Sequence, residues 1–171
     1  MKTVVLKFGG TSVGSIDRIK EVANIICSYK KKNIGVIVVS SAMSGSTNDL
    51  VKKTKELSDN FDHAEYDVLL SSGEQVACSL IAGRLKHLGY KARSWMSWQI
   101  PIITDGPYSA SRIIKINKKK ILNFIKAGGI PVISGFQGIN LDSRITTLGR
   151  GGTDATAIML AKFFNASKCD I

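Results

Sequence analysis

Apolar residues along the chain fall into two forms, short unbroken runs and longer stretches at helical spacing. The run TVVLKF, Thr3 to Phe8, predicts a buried strand that ends at Gly9 and Gly10. Beyond it Ile16, Ile19, Val22, Ala23 and Ile26 recur at helical spacing, which predicts a helix with Ser15 as N-cap and the lysines at 30 to 32 at the end that suits its dipole. Residues 34 to 41, IGVIVVSS, form a β-branched run typical of a strand covered on both faces. The polar loop SGSTND then leads into a second helix starting near Thr47.

A long helical pattern runs from Ala64 to Leu88, with a break predicted around Ser71 to Gly73 and Gly89 as its C-terminal stop. KARSWMSW and IPIIT are shorter strand candidates. NKKKILNFIKAGG predicts a helix capped by Asn117 and stopped by Gly128, followed by the strand IPVISGF. A further apolar helix follows Thr153, and NASKCDI reads as a turn and the first residues of another strand. This alternation predicts an α/β sandwich with a mainly parallel sheet. A strand of two or three residues adds little to a sheet, so a domain stopping there looks cut.

Composition narrows the classes. With 171 residues, 44% hydrophobic and 22% charged, the chain has room for one domain with a sizeable core. No apolar stretch approaches the ~18 residues needed to span a bilayer, and the opening MKTVVLKFGG is too short an apolar run for a signal peptide; the expectation is a cytoplasmic protein without a membrane partner. Cys27, Cys78 and Cys169 lack C-x-x-C spacing and are expected as reduced thiols, and with only His63 and His87 besides, no zinc site is expected. The net charge of +11 raises nucleic acid as a partner. The lysine clusters at 30 to 32 and 118 to 120 sit at helix ends without interleaved aromatic residues, which favours solvated helix ends and no nucleic-acid partner.

Candidate chemistry gathers in the loops that follow strands, where open α/β sheets bind ligands. GGTSVG lacks the lysine of a Walker A loop and the spacing of a dinucleotide fingerprint. What remains is Lys7 at a strand end, followed by Gly9 and Gly10, whose backbone amides can approach a phosphate; a plain strand-to-helix turn with a surface lysine is the other reading. In GRGGTD, Arg150 can grip a carboxylate or phosphate through two bonds, and Gly151, Gly152 and Thr153 open a helix N-terminus. Asp154 either caps that helix or orients Lys7 through an ion pair. Glu74, in SSGEQ, has the ordinary reading of an exposed helix carboxylate. Two glycine-bearing anion loops on one small domain suggest a phosphoryl donor and an acidic acceptor.

KFGGTSVG, SSAMSGSTNDL, LLSSGEQVACSLIA, GFQGIN and TTLGRGGTDATA, in this order, closely resemble the catalytic domain of aspartokinases, in the amino-acid kinase superfamily. The resemblance runs through essentially the whole chain. It implies the three-layer, carbamate kinase-like sandwich and transfer of a phosphoryl group from ATP, with Mg²⁺, to the β-carboxylate of L-aspartate, the entry to lysine, diaminopimelate, threonine and methionine synthesis. It also implies roles. Lys7, Phe8, Gly9 and Gly10 match the loop at the ATP phosphates, with Lys7 stabilising the transferred group. Ser41, Thr47 and Glu74 match substrate-side positions, Glu74 facing the aspartate ammonium. Arg150 matches the grip on the α-carboxylate, with Gly151, Gly152 and Thr153 beside it, and Asp154 the carboxylate that organises the active-site lysines. An aspartate side chain, of pKa ~3.9, is already ionised at neutral pH, so such a reaction needs no general base.

Thr153 stands where aspartokinases usually have serine, which keeps the hydroxyl and adds a methyl; a modest effect is expected. In aspartokinases the strand begun here by KCDI continues into a loop that holds the nucleotide base and ribose, and a further phosphate-contacting lysine and regulatory ACT domains follow. Residues 1 to 171 are therefore expected to be a partial catalytic domain with an incomplete nucleotide site. The alternatives are a non-catalytic aspartate-binding module and a related kinase with another acceptor. The edge strand at the chain end is expected to be open to pairing, with a second copy or with a complementing C-terminal chain.

Overall fold

A computed structural model of the chain describes residues 2–32 and 34–171. Nine strands and five helices are formed among them, in the order β1 (Thr3–Phe8), α1 (Ile16–Lys30), β2 (Gly35–Ser40), α2 (Ser46–Leu57), α3 (His63–His87), β3 (Ala92–Trp95), β4 (Ile102–Thr104), β5 (Ile113–Ile116), α4 (Lys119–Lys126), β6 (Ile130–Ser134), β7 (Gln137–Ile139), β8 (Ile145–Thr147), α5 (Gly152–Phe164) and β9 (Lys168–Asp170).

The runs read as doubly covered strands make the main sheet. Its order is β3-β6-β2-β1-β9, and every pairing is parallel. Successive residues of a strand face opposite sides, and the sheet has a core on each. Val4, Leu6, Val36, Val38 and Val132 pack with α1 and α3. Val5, Ile37, Val39 and Ile133 pack with α4 and α5. The result is a three-layer α/β/α sandwich, as expected.

A second sheet, β5-β4-β7-β8, is the part that the apolar pattern does not announce. Only the β4–β7 pairing is parallel; β4–β5 and β7–β8 are antiparallel. Its strands have three or four residues, and β7 begins with a glutamine and a glycine, so no periodicity develops. Ile102, Ile113 and Ile116 join the core with α4 and α5, and buried hydroxyls pair elsewhere in the sheet: Thr104 Oγ1 and Thr146 Oγ1 lie 2.7 Å apart.

Three local expectations change. Helix α3 is continuous through Ser71 to Gly73; Gly73 marks a close approach, since a Cβ there would stand 2.9 Å from Ala42 Cβ. Lys118 takes the N-cap position of α4, and Asn117 accepts from the Lys119 amide at 3.2 Å from one residue further out. The strand in KARSWMSW stops at Trp95. Ser15 does cap α1, accepting from the Arg18 amide, and β9 completes three paired positions on β1.

Gly138 of β7 has no room for a side chain, because a Cβ would overlap Thr104 Cγ2 and lie 2.9 Å from the Ile102 carbonyl oxygen. Gly138→Ala is therefore expected to destabilise the fold by about 1 to 3 kcal/mol through overpacking, read as a lower midpoint in urea unfolding.

Candidate active site

The carboxyl ends of β1, β2 and β6 are tied together before any ligand is considered. The Ser41 amide donates to the Phe8 carbonyl and the Gly135 amide to the Ser40 carbonyl, each at 3.0 Å. The loops leaving these ends bound a cleft of about 670 Å³ that faces the second sheet. Lys7, Ser41, Thr47, Glu74, Arg150, Gly151, Gly152, Thr153 and Asp154, all singled out in the sequence, line it.

One side of the cleft is electropositive. Lys7, at the end of β1, lies 2.6 Å from Asp154 Oδ1. Its side chain is 14% exposed and that of Asp154 45%, so solvent screens the pair and its worth lies in fixing the lysine. Of the two readings of Asp154, the ion pair is the one formed. A Cβ at Gly9 would come within 3.3 Å of Lys7 Nζ, and one at Gly10 within 3.1 Å of the Ala42 carbonyl oxygen. The glycines thus allow the ammonium to fold over its own loop and that loop to pack on the next. Two helices begin here without a side-chain cap, α2 after Gly45 and α5 after Gly151 in the left-handed conformation. Their first-turn amides and dipoles favour anions. Arg150 stands exposed beside the second.

The other side is acidic and buried, which overturns the ordinary exposed reading of Glu74. Glu74 is 4% exposed. Its Oε1 accepts from the Ala42 amide at 3.1 Å, while Oε2 is buried without a protein partner. Burial pushes its carboxyl up to about 7, against a lesser pull from the Ala42 amide. Gly73 makes this possible by letting α3 close on the Ser41–Ala42 turn.

Two residues the sequence reading passed over complete the wall. Asp67, on the same face of α3 as Glu74 and about two turns before it, is fully buried and binds Ser109 and Thr147, both of which line the cleft. Phe136, with φ at +68°, is held by the Thr156 hydroxyl and the Leu148 amide. The Thr153 methyl lies where a Cβ on Gly135 would come within 2.6 Å, so the extra carbon relative to serine fills space that glycine leaves open.

Phe8, Gly9 and Gly10 stand outside the cleft lining. The Phe8 side chain belongs to the core under α1, so only backbone is left there for a ligand. Lys7, Phe8 and Ser12 border a smaller depression of about 250 Å³, with Tyr29 and Asp170 opposite. Lys7 lines both hollows. Among the described residues no cluster of three or more His, Cys, Asp or Glu side chains is placed to hold a metal ion, and no helix is long and apolar enough to cross a membrane.

A sheet covered on both faces, with glycine turns and helix N-termini at its strand ends, agrees with the family whose model matches residues 2–171, the amino acid kinase family; the chain belongs to it. The aspartokinase of Rickettsia conorii is 48% identical over all of this chain, which corresponds to 43% of that protein. The crystal structure of aspartate kinase from Synechocystis superposes with a TM-score of 0.83 at 38% identity, over 97% of this chain and 27% of the other. E. coli aspartokinase III in complex with aspartate and ADP gives a TM-score of 0.86 at 25% identity, over 99% of this chain and 48% of the other. The chain thus spans less than half the length of the curated relatives it matches.

Glu74 gives a pH prediction. Its folded carboxyl binds the proton more tightly than the ordinary 4.5 of the unfolded chain. Its contribution is complete below that value and is lost as pH rises through about 7, on the order of 3 kcal/mol at most. Urea unfolding at pH 5 and pH 8 is expected to show wild type losing more stability than Glu74→Gln across this interval. Equal losses would contradict the assignment.

Proposed function

We propose that the chain carries the acceptor side of an aspartate kinase catalytic domain, a cytoplasmic enzyme making 4-phospho-L-aspartate, the first intermediate towards lysine, diaminopimelate, threonine and methionine. The observation that carries the reading is the charge layout of the cleft. A buried carboxylate with an unpartnered oxygen faces a cleft whose other side offers a guanidinium, a lysine and two helix N-termini. An amino acid with two carboxylates complements both.

In this reading Glu74 Oε2 receives the substrate ammonium and Arg150 the α-carboxylate, with the Gly151, Gly152 and Thr153 amides beside it. Ser41 and Thr47 bound the side chain. The β-carboxylate is directed towards Lys7, and because it is already ionised no residue has to remove a proton. Lys7, steadied by Asp154, neutralises charge on the group in flight, and the cleft's work is to align two anions.

ATP supplies the phosphoryl group when bound, and Mg²⁺ screens its charge. The residues present fit the phosphates: Gly9 and Gly10 bare the backbone at a strand end, and Lys7 lies between the cleft and the depression bordered by Phe8 and Ser12. With no caging cluster of carboxylates among the described residues, Mg²⁺ would arrive mainly on phosphate and water oxygens, as it commonly does. The glycine loop holds its shape through the Ser12 and Val13 amides, which donate to the Gly9 carbonyl.

L-Aspartate at saturation is expected to raise the melting midpoint of the chain by mass action, with L-glutamate giving no comparable shift. Arg150→Ala is expected to weaken aspartate binding by ~1.5 to 3 kcal/mol, the value of a charged hydrogen bond, while leaving the unliganded midpoint in place because Arg150 is exposed. Equal shifts by both amino acids, or an unaltered affinity in Arg150→Ala, would refute the reading.

A further inference from the structure

We propose that Asp67 is a positioning residue that fixes the proton direction of two hydroxyls, Ser109 and Thr147, and so makes that wall of the cleft a receptor for a substrate ammonium group. The proposal rests on the amino-acid reading of the cleft and deepens it by naming what selects the amino group.

Asp67 is fully buried on α3, about two turns before Glu74. Among the described residues no lysine, arginine or histidine forms an ion pair with it. Donors from two other elements serve instead. Its Oδ2 accepts from the Ser109 amide at 2.9 Å and the Thr147 amide at 2.7 Å. Its Oδ1 accepts from the Ser109 hydroxyl at 2.9 Å and the Thr147 hydroxyl at 2.8 Å.

The two kinds of donor differ in what they have left. An amide N–H has nothing further to give. A hydroxyl has one proton and two lone pairs, and its direction is free until a partner decides it. A carboxylate oxygen only accepts, so both hydroxyl protons are committed to Asp67. What Ser109 and Thr147 then present to the cleft they line is lone pairs. An ammonium meets acceptors there, whereas a carboxylate meets repulsion, and Glu74 adds a further acceptor in the same cleft.

The geometry is pinned from both sides. Ser109 has φ at +60°, an uncommon conformation for a serine, and the Ser111 amide donates to the Thr147 carbonyl at 3.0 Å. The Ser109 carbonyl oxygen lies 3.0 Å from where a Gly149 Cβ would stand, so this turn rests on the residue before Arg150. Asparagine at 67 keeps the shape. Its oxygen can take the two amides, but its NH₂ would then donate to both hydroxyls and turn their protons away, towards the cleft.

The test compares L-aspartate with succinate, the same dicarboxylate without the amino group, by titration calorimetry on the 171-residue chain and on Asp67→Asn, with melts to check folding. Wild type is expected to prefer aspartate. In Asp67→Asn that preference is expected to fall by about 10-fold or more, aspartate weakening while succinate holds or tightens. A merely structural role weakens both ligands alike, and that result, or an unchanged ratio, overturns the proposal. If Asp67→Asn shows no cooperative melt, Ser109→Ala decides: the ratio is expected to fall by about 3-fold or more, and an unchanged ratio overturns the proposal. A wild-type chain that binds neither ligand removes the amino-acid reading itself, and the proposal with it.

Discussion

A helix that buries carboxylates at both Asp67 and Glu74 must be met by donors, because an unpaired charge in a protein interior is among the costliest features a fold can carry. Helix α3 lies between the main sheet and the second one, and the surroundings of the cleft follow from meeting that demand. At Asp67 donors come from the loop before β5 and from β8. At Glu74 one oxygen is met by the Ala42 amide and the other is left over. Ser71, on the same face, offers its carbonyl to Gln137 Nε2 at 3.0 Å and brings β7 into register. Hydrogen bonds to this one helix thus hold β7, β8 and the turn at Ser109, while Ile102, Ile113 and Ile116 join the apolar core with α4 and α5.

The opposite side of the cleft obeys a different rule. Arg150 and Asp154 are open to water and Lys7 is only partly covered, so each charge is cheap to place and individually weak. Their effect comes from convergence: β1 and the turn before α5 bring them to one place, and the parallel sheet makes that place by putting strand ends and helix starts on the same edge. In the proposed reading, selection by a buried acidic wall and attraction by a basic one are divided between two faces of the same hollow.

What was legible in the sequence follows this division. Lys7, Gly9, Gly10 and the run from Arg150 to Asp154 are contiguous, and glycine next to a charge at a strand end has a local meaning, so they stand out. The doubly covered strands were equally plain from their β-branched runs. Glu74 was identified through family resemblance, but its burial was not readable, since a glutamate in a helix has the same local signature whether it faces solvent or a second sheet. Asp67 had no signature at all, because its partners are 42 and 80 positions away. Of the second sheet only β4 was legible, in IPIIT; the other strands have three or four residues, with β7 and β8 built on glutamine, glycine and threonine, and give no period to detect, and the break expected at Gly73 was a helix making room for a loop.

The pairing of β9 with β1 carries a kinetic consequence. The Ser167 hydroxyl donates to the Thr3 carbonyl across a separation of 164 residues, and Lys7 meets Asp154 across nearly as great a span. Contacts of this range form slowly, since the closure entropy has to be met before they reward it. The cleft therefore matures late during folding, after the local helices, and an emerging chain holds its first strand without a neighbour on one side until almost all of the segment has been made. Occupancy of the cleft reports on the joining of β1 to α5 and β9, not on any local fragment.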